Sequence, residues 1–431
     1  VNATTWFETP PADWKIKRVK YASPLQTTRS DVSSDAPNYI GLENVESWTG
    51  RYIEIGNLTQ IESGVSELQG TSVSFKAGDV LFGKLRPYLA KALLAQTEGV
   101  GSTEFLVLRP HDELNANFLL YVLLSSNFVS LVSSSTFGAK MPRASWDFIG
   151  SITIPVPPLD TQRRIADYLD TETAQIDTLI AEKERMLALL AEKRAALVSQ
   201  AVTQGLDPVV PMKSSGLEWL GKIPAHWKVM RFKHFCKIGN GSTPNRDNPL
   251  YWEGGDYPWL NSSVVNSRKV AEISRYVTEP ALLECHLPKI KPPALLVAIT
   301  GQGKTRGKST VLEFEATINQ HLAYIKPQKD SANCLYLSYL LDTAYEFIRS
   351  DSDGAGSTRG AITCEQLGNF YISLPPLMEQ LKILNFIDEE ISEFDQVEED
   401  LRLSLSLLKE RRSALITAAV TGQLEEESLA R

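Results

Sequence analysis

The chain has 431 residues, is 43% hydrophobic and carries a formal net charge of −8. No stretch reaches 18 consecutive apolar residues, so no membrane-spanning helix is expected, and no signal peptide is visible at the start. The four cysteines form no C-x-x-C pair and the five histidines are scattered, which excludes the usual zinc patterns and predicts reduced, buried thiols of the cytoplasmic kind.

The first 155 residues read as a mixed α/β head. It opens with PPADWKIKRVK (residues 10–20), and short strands follow around 73–81 and 105–108. An amphipathic helix is predicted over 117–132, then a Gly-rich polar loop, SSSTFGAKMPRAS (133–145), then a strand over 149–156. A Pro-Pro pair at 157–158 marks the start of a long helix within 156–208. A second head, 209–374, repeats the order: IPAHWKVMRFK (223–233), apolar runs at 294–300 and 322–325, a helix over 333–348, a Gly loop (350–363) and a strand over 370–374. A second long helix and an acidic tail fill 375–431. Trp6, Trp14, Trp219 and Trp227 flank the head entries and are expected in the core.

The helical segments are duplicates. Residues 157–206 and 375–424 align without a gap at an offset of 218, with 19 identities in 50 positions, against roughly three for unrelated sequences. In each, apolar residues recur at spacings of four and three: Ile165, Leu169, Ile176, Leu179, Met186, Leu190, Leu197, and Ile383, Ile387, Phe394, Val397, Leu401, Leu408, Leu415. A seam of that period predicts a coiled-coil pair, each helix roughly 66 Å long. Two equal halves in one chain predict a pseudo-two-fold and therefore antiparallel helices. The fold class expected is α+β: two mixed α/β heads separated by a pair of long antiparallel coiled-coil helices. Charge partitions unevenly, −2 over 1–155, −3 over 156–208, +4 over 209–374 and −7 over 375–431, so the acid lies mainly on the helices.

YIGLENVESWTGR (39–51), GDVLFGKLRPYLAK (78–91), GLEWLGKIPAHW (216–227) and the twofold P-P-L-x-x-Q before a long helix carry a resemblance. The chain resembles the specificity subunit of type I restriction–modification systems over its whole length. The resemblance implies that each head is a target recognition domain reading one half of a split double-stranded DNA sequence. It also implies that the helices space the halves and dock two methyltransferase subunits, with restriction subunits joining them. No cofactor is then expected on this chain; AdoMet, ATP and Mg belong to the partners.

The residues agree that the chain is not a catalyst. The nearest approach to an adenine-methyltransferase signature, Asn248-Pro249-Leu250-Tyr251, lacks the second proline. The stretch 301–309, GQGKTRGKS, lacks the glycine spacing of a Walker A loop. No lysine follows a glutamate at two positions, and Asp13-Trp14-Lys15 is the sole Asp-x-Lys. Two readings remain: a DNA reader, or a protein-binding coiled-coil scaffold (a specificity subunit of some other methyltransferase–nuclease system being a variant of the first).

DNA reading needs cations for phosphates and polar side chains for base edges. The candidates are Lys84, Arg86, Lys91, Lys140 and Arg143 in the first head, and Lys304, Arg306, Lys308 and Arg359 in the second. Asn44 and Asn261, at matching places, suit an adenine edge or a structural amide equally. For partner docking the candidates are Leu169, Ile176, Lys193 and Arg194 on the first helix and Ile387, Phe394, Arg411 and Arg412 on the second.

Overall fold

The computed structural model describes residues 6–30, 38–54, 72–138, 140–301, 303–353 and 360–424. The four predicted segments regroup into two compact units. One comprises Val1–Arg185 with Leu401–Arg431, the other Met186–Asp400. Each unit therefore holds one head, part of the long helix Leu159–Gln204 and part of the long helix Leu377–Val420.

The heads share the topology of their central sheet. In the first unit a four-stranded antiparallel sheet runs Leu25–Gln26, Phe105–Leu108, Val80–Gly83, Ala92–Leu94. In the second the order is Cys236–Asn240, Leu322–Pro327, Ala294–Ala298, Ser309–Leu312. A smaller sheet in each contains one parallel pair, Tyr39–Ile40 with Gly99–Gly101 and Tyr257–Leu260 with Thr317–Ile318. An antiparallel pair closes each head at its entry and exit: Lys15–Arg18 with Thr153–Val156, and Lys228–Arg231 with Tyr371–Leu374.

The central strands read as apolar runs because both sheet faces are covered. Alternate side chains point to opposite faces of a strand. Val80 and Phe82 join the core that contains the helices Ala116–Leu124 and Ser126–Ser134, while Leu81 joins Val45 and Phe75 on the other side. In the second unit Leu295 and Val297 pack with Leu337 and Leu341, and Leu296 with Leu260 and Ile318. No single helix among the described residues is long and apolar enough to cross a membrane, and the bent pair Ala116–Leu124 and Ser126–Ser134 contributes most of its apolar side chains to the first core.

Three predicted elements differ from those observed. The helix expected over 117–132 is broken at Ser125, which is extended (φ −67°, ψ 139°) and whose Oγ donates to the Val122 carbonyl. The helix expected over 333–348 ends at Thr343 and restarts at Tyr345. The strand expected over 149–156 is a helix, Trp146–Ser151, followed by the strand Thr153–Val156. Ser145 caps that helix, its side chain accepting from the Phe148 amide, and an N-cap overrides the β propensity of the following residues.

The duplicated P-P-L-x-x-Q has a clear physical role. Gln162 is fully buried, its Oε1 accepting from the Asn115 amide at 2.7 Å and its Nε2 donating to the Glu113 and Pro157 carbonyls at 2.8 Å. Gln380 repeats this with the Asn333 amide and the Pro375 carbonyl. Asn115 and Asn333 are the N-caps of the head helices, so the glutamine pins the start of each long helix to the start of a head helix.

The far ends of the long helices are also fixed. Gly205 and Gly422 adopt φ of +77° and +76°. At Gly422 the amide of Gln423 donates to the Ala418 carbonyl, a Schellman closure. A Cβ on Gly422 would overlap Pro11 and meet Trp14, while one on Gly205 would meet Trp227 and Pro224. The entry segment of each head thus packs on the end of a long helix, which is why the P-x-x-W pattern occurs twice. Trp6 and Trp227 are buried as expected, at 8% and 0% exposure. Gly422→Ala is expected to destabilise the first unit by about 1–3 kcal/mol, from the left-handed backbone together with the Pro11 overlap. A thermal-melt comparison checks it, with Gln423→Ala as the neutral neighbour.

Within each unit the helix segments run antiparallel. In the first, Asp177 meets Arg412 and Glu184 meets Lys409. In the second, Arg194 meets Asp395, and Lys193 lies over the Phe394 ring at 5.5 Å. The seam does not run unbroken: Ile165, Leu169, Ile176, Ile383, Ile387, Phe394 and Leu401 are buried, but Leu179, Met186 and Val397 are 44–51% exposed. The buried set in the last helix follows 401, 405, 412, 416 and 419, so a polar residue, Arg412, occupies a buried seam position.

The expectation of buried thiols holds for Cys236 and Cys334, whereas Cys285 and Cys364 are only half-buried. Burial pushes the Cys236 and Cys334 thiols up to about 12, and Cys285 and Cys364 are raised by the same desolvation. All four are free thiols, and among the described residues no group of His, Cys, Asp or Glu is arranged to hold a metal.

Candidate nucleic-acid interface

In the first unit the loops at one end of the central sheet carry the predicted cations. The strand Val80–Gly83 leads into Lys84, whose amide donates to the Glu104 carbonyl and whose own carbonyl accepts from the Ala144 amide. Arg86 donates its amide to the Pro142 carbonyl, and Leu85 bridges to Arg143. Two segments 56–60 residues apart in sequence are thereby zipped together, which brings Lys84 and Arg86 beside the segment that carries Arg143, with Lys140 two residues before Pro142. Arg86 is exposed and held at φ +49° before the turn Pro87–Leu89. Lys140 is exposed and Lys84 half-buried, and neither carries an ion pair among the described residues. Arg143 forks onto the Glu104 carboxylate at 2.9–3.2 Å.

Lys91 does not belong to that set. Its Nζ donates to the Leu42 carbonyl at 2.7 Å, and burial lowers its ammonium pKa against a smaller opposing effect of Glu43. Asn44 is engaged beside it: Oδ1 accepts from the Gly41 amide at 2.9 Å and Nδ2 donates to the Ile53 carbonyl. Asn261 likewise caps the turn Ser262–Asn266, accepting from the Ser263 amide at 2.8 Å. Both asparagines follow the strand of the parallel pair, and both make local structural hydrogen bonds there. The rest of YIGLENVESWTGR is scaffold too. Arg51 pairs with Glu46 and Asp177, and the Trp48 carbonyl accepts from Arg412 at 2.7 Å.

In the second unit the equivalent loop is 299–308. The Ile362 amide donates to the Ile299 carbonyl as Ala144 does to Lys84, so the same two loops meet. Lys304 is exposed and Lys308 half-buried, and both line a cleft of about 740 Å³ with Arg268, Tyr345 and Arg349. Arg306 is a correction. It is 4% exposed, unlike the exposed Lys304 two residues before it. Arg349, not singled out in the sequence, holds that turn by donating to the Gly303 and Arg306 carbonyls. Arg268 was also missed; it pairs with Asp342 and stacks on Tyr339 at 4.3 Å. Neither lies in a Gly-rich loop. Arg359 lies outside the described residues.

The docking candidates divide. Leu169, Ile176, Ile387 and Phe394 are 0–8% exposed and are used inside this chain, so they offer no surface to a partner. Arg412 is 7% exposed, forked onto Asp177 at 2.8 and 3.3 Å. Arg194 makes the symmetry-equivalent pair with Asp395, exposed rather than buried. Lys193 and Arg411 are exposed.

A twice-repeated head with the same central sheet, each with a cationic loop end and each fixed to long helices by a buried glutamine, defines a modular binding protein. The family model of the type I restriction modification DNA specificity domain matches residues 11–187 and again 224–405, and the chain belongs to that family. Among relatives it is 32% identical over 199 residues to the type I restriction enzyme MjaIX specificity subunit of Methanocaldococcus jannaschii, 44% of each chain. It is 27% identical over 157 residues to the EcoDI specificity subunit of Escherichia coli, covering 36% of this chain and 34% of that one. The matches thus span less than half the length of these two curated relatives. A solved chain from a type I R-M system superposes with a TM-score of 0.69 at 21% identity, covering 97% of this chain and 100% of that one, which establishes the shared fold.

Proposed function

We propose that this chain is the DNA-reading subunit of a type I restriction–modification complex. Each head is a target recognition domain for one half of a bipartite double-stranded target. Two methyltransferase subunits dock on the long helices, restriction subunits join that core, and AdoMet, ATP and Mg act on those partners. The observation that carries the reading is the repetition of the cationic loop end at the same place in both heads, Lys84, Arg86 and Lys140 in one and Lys304 and Lys308 in the other.

The helices support two equivalent docking sites. In the first unit Leu179 and Leu407 are exposed at 45% and 56%; at the offset of 218 they become Val397 and Leu189 of the second unit, exposed at 44% and 53%. Paired apolar residues left in water on both units fit two copies of one partner.

Duplex binding by the full chain assembled with its methyltransferase subunits tests the reading. Log affinity is expected to fall steeply with log salt, and Lys84→Ala, Arg86→Ala and Lys140→Ala to lower that slope by about 0.9 for each phosphate contact removed. Binding that ignores salt, or no duplex binding at all, would leave the protein-scaffold reading in its place.

A further inference from the structure

Phe137 and Met141 stand in solvent at 66% and 53% exposure on the loop that carries Lys140. Phe137 is held in place there. Phe137 and Arg143 exchange backbone hydrogen bonds at 3.2–3.3 Å, Arg143 bridges on to Leu85, and the Pro142 carbonyl accepts from Arg86. Gly138, at φ +95°, makes the turn beside Phe137. The two apolar side chains are therefore carried on the same backbone framework as Lys84, Arg86 and Lys140, which have no ion-pair partners among the described residues.

An exposed phenyl ring among uncompensated cations calls for an occupant that is both anionic and locally apolar. A duplex meets both needs. Its phosphates neutralise the cations, and its major groove exposes one apolar group that depends on sequence, the C5-methyl of thymine. A protein surface covering Phe137 would need carboxylates at all three cations as well. Building on the DNA-reading function proposed above, we infer that Phe137 and Met141 cover the 5-methyl group of a thymine in the half-site read by the first unit. They are specificity-determining residues, and the lysines beside them are sequence-independent anchors.

The test uses the full chain with its methyltransferase subunits and a duplex selected from a random pool. Each thymine is replaced in turn by deoxyuridine, which lacks only the methyl group. One position is expected to lose about fourfold in affinity, the worth of one buried methyl. That loss should vanish in the Phe137→Ala/Met141→Ala double variant, while Phe137→Leu retains it. Lys140→Ala should weaken thymine and uracil duplexes equally. Both apolar residues are exposed, so their removal leaves the fold intact, as a melt confirms. If the wild type binds the duplex but no thymine is sensitive, or the sensitivity persists in the double variant, the inference fails while the DNA-reading function stands. If the wild type binds no duplex, both fail.

Discussion

Gln162→Leu is expected to destabilise the first unit by about 3–5 kcal/mol while leaving the second nearly unchanged. Leucine fills much of the volume but removes every polar contact of the clamp. The Asn115 amide and the Glu113 and Pro157 carbonyls then lose this partner; Pro157 is buried, Asn115 half-buried and Glu113 exposed. Each buried group left unsatisfied costs about 1–3 kcal/mol, so the Pro157 carbonyl and the Asn115 amide account for most of the stated range. The expected size exceeds that of a typical surface substitution because the side chain is 0% exposed. Hydrogen exchange separates the units: amides of Leu106 and Val107 should lose protection, while those of Leu296 and Val297 should keep theirs. Gln380→Leu should reverse the pattern, with a smaller loss because two bonds to backbone are broken rather than three. A loss below about 1 kcal/mol in either variant would mean that water or a backbone shift replaces the glutamine.

Arg412→Met and Arg194→Met are expected to differ severalfold in cost, although the two arginines are equivalent in the repeat. Arg412 and Asp177 have side chains only 9% and 10% exposed, and the guanidinium also holds the Trp48 carbonyl. Removing it leaves a nearly buried carboxylate with Arg51 alone, at 3.1 Å. Breaking a buried pair from one side costs about 3–5 kcal/mol, and Arg51 moves this case toward the lower end. Arg194 and Asp395 are 36% and 57% exposed, where an ion pair contributes about 0–1 kcal/mol. Chemical denaturation of the two variants checks the contrast. Equal losses would show that helix pairing, rather than burial of the ion pair, sets the cost. The Arg412 variant should also loosen the segment around Trp48, whose backbone is held at φ +69° beside that contact.

The duplication, the two long helices, the P-P starts and the tryptophan-marked entries were legible because they depend on local periodicity and on fixed residue types at turns. The repeat offset of 218 even anticipated the structural symmetry, since Gln162 and Gln380, or Asp177 and Asp395, occupy equivalent places. Which residues serve the site was less legible. Lys91 and Arg306 looked like reading residues because they are basic and sit near glycines, and Asn44 suited an adenine edge or a structural amide equally; their environments are interior or locally hydrogen-bonded. Leu169, Ile176, Ile387 and Phe394 looked like docking residues because a seam does not announce what covers it.

The sequence by itself determined two heads, two helices and the absence of catalytic motifs. Those properties reside in spacing, which a chain carries wherever it folds. Only the tertiary structure decided that Lys84 and Arg86 lie beside the segment that carries Arg143, that Arg412 is buried while Arg194 is not, and that Phe137 is presented among cations. Each of those outcomes depends on groups brought together from distant positions, 235 residues apart for Asp177 and Arg412. Burial and hydrogen-bond satisfaction are properties of such pairings, and a sequence pattern fixes them only after the chain has closed on itself.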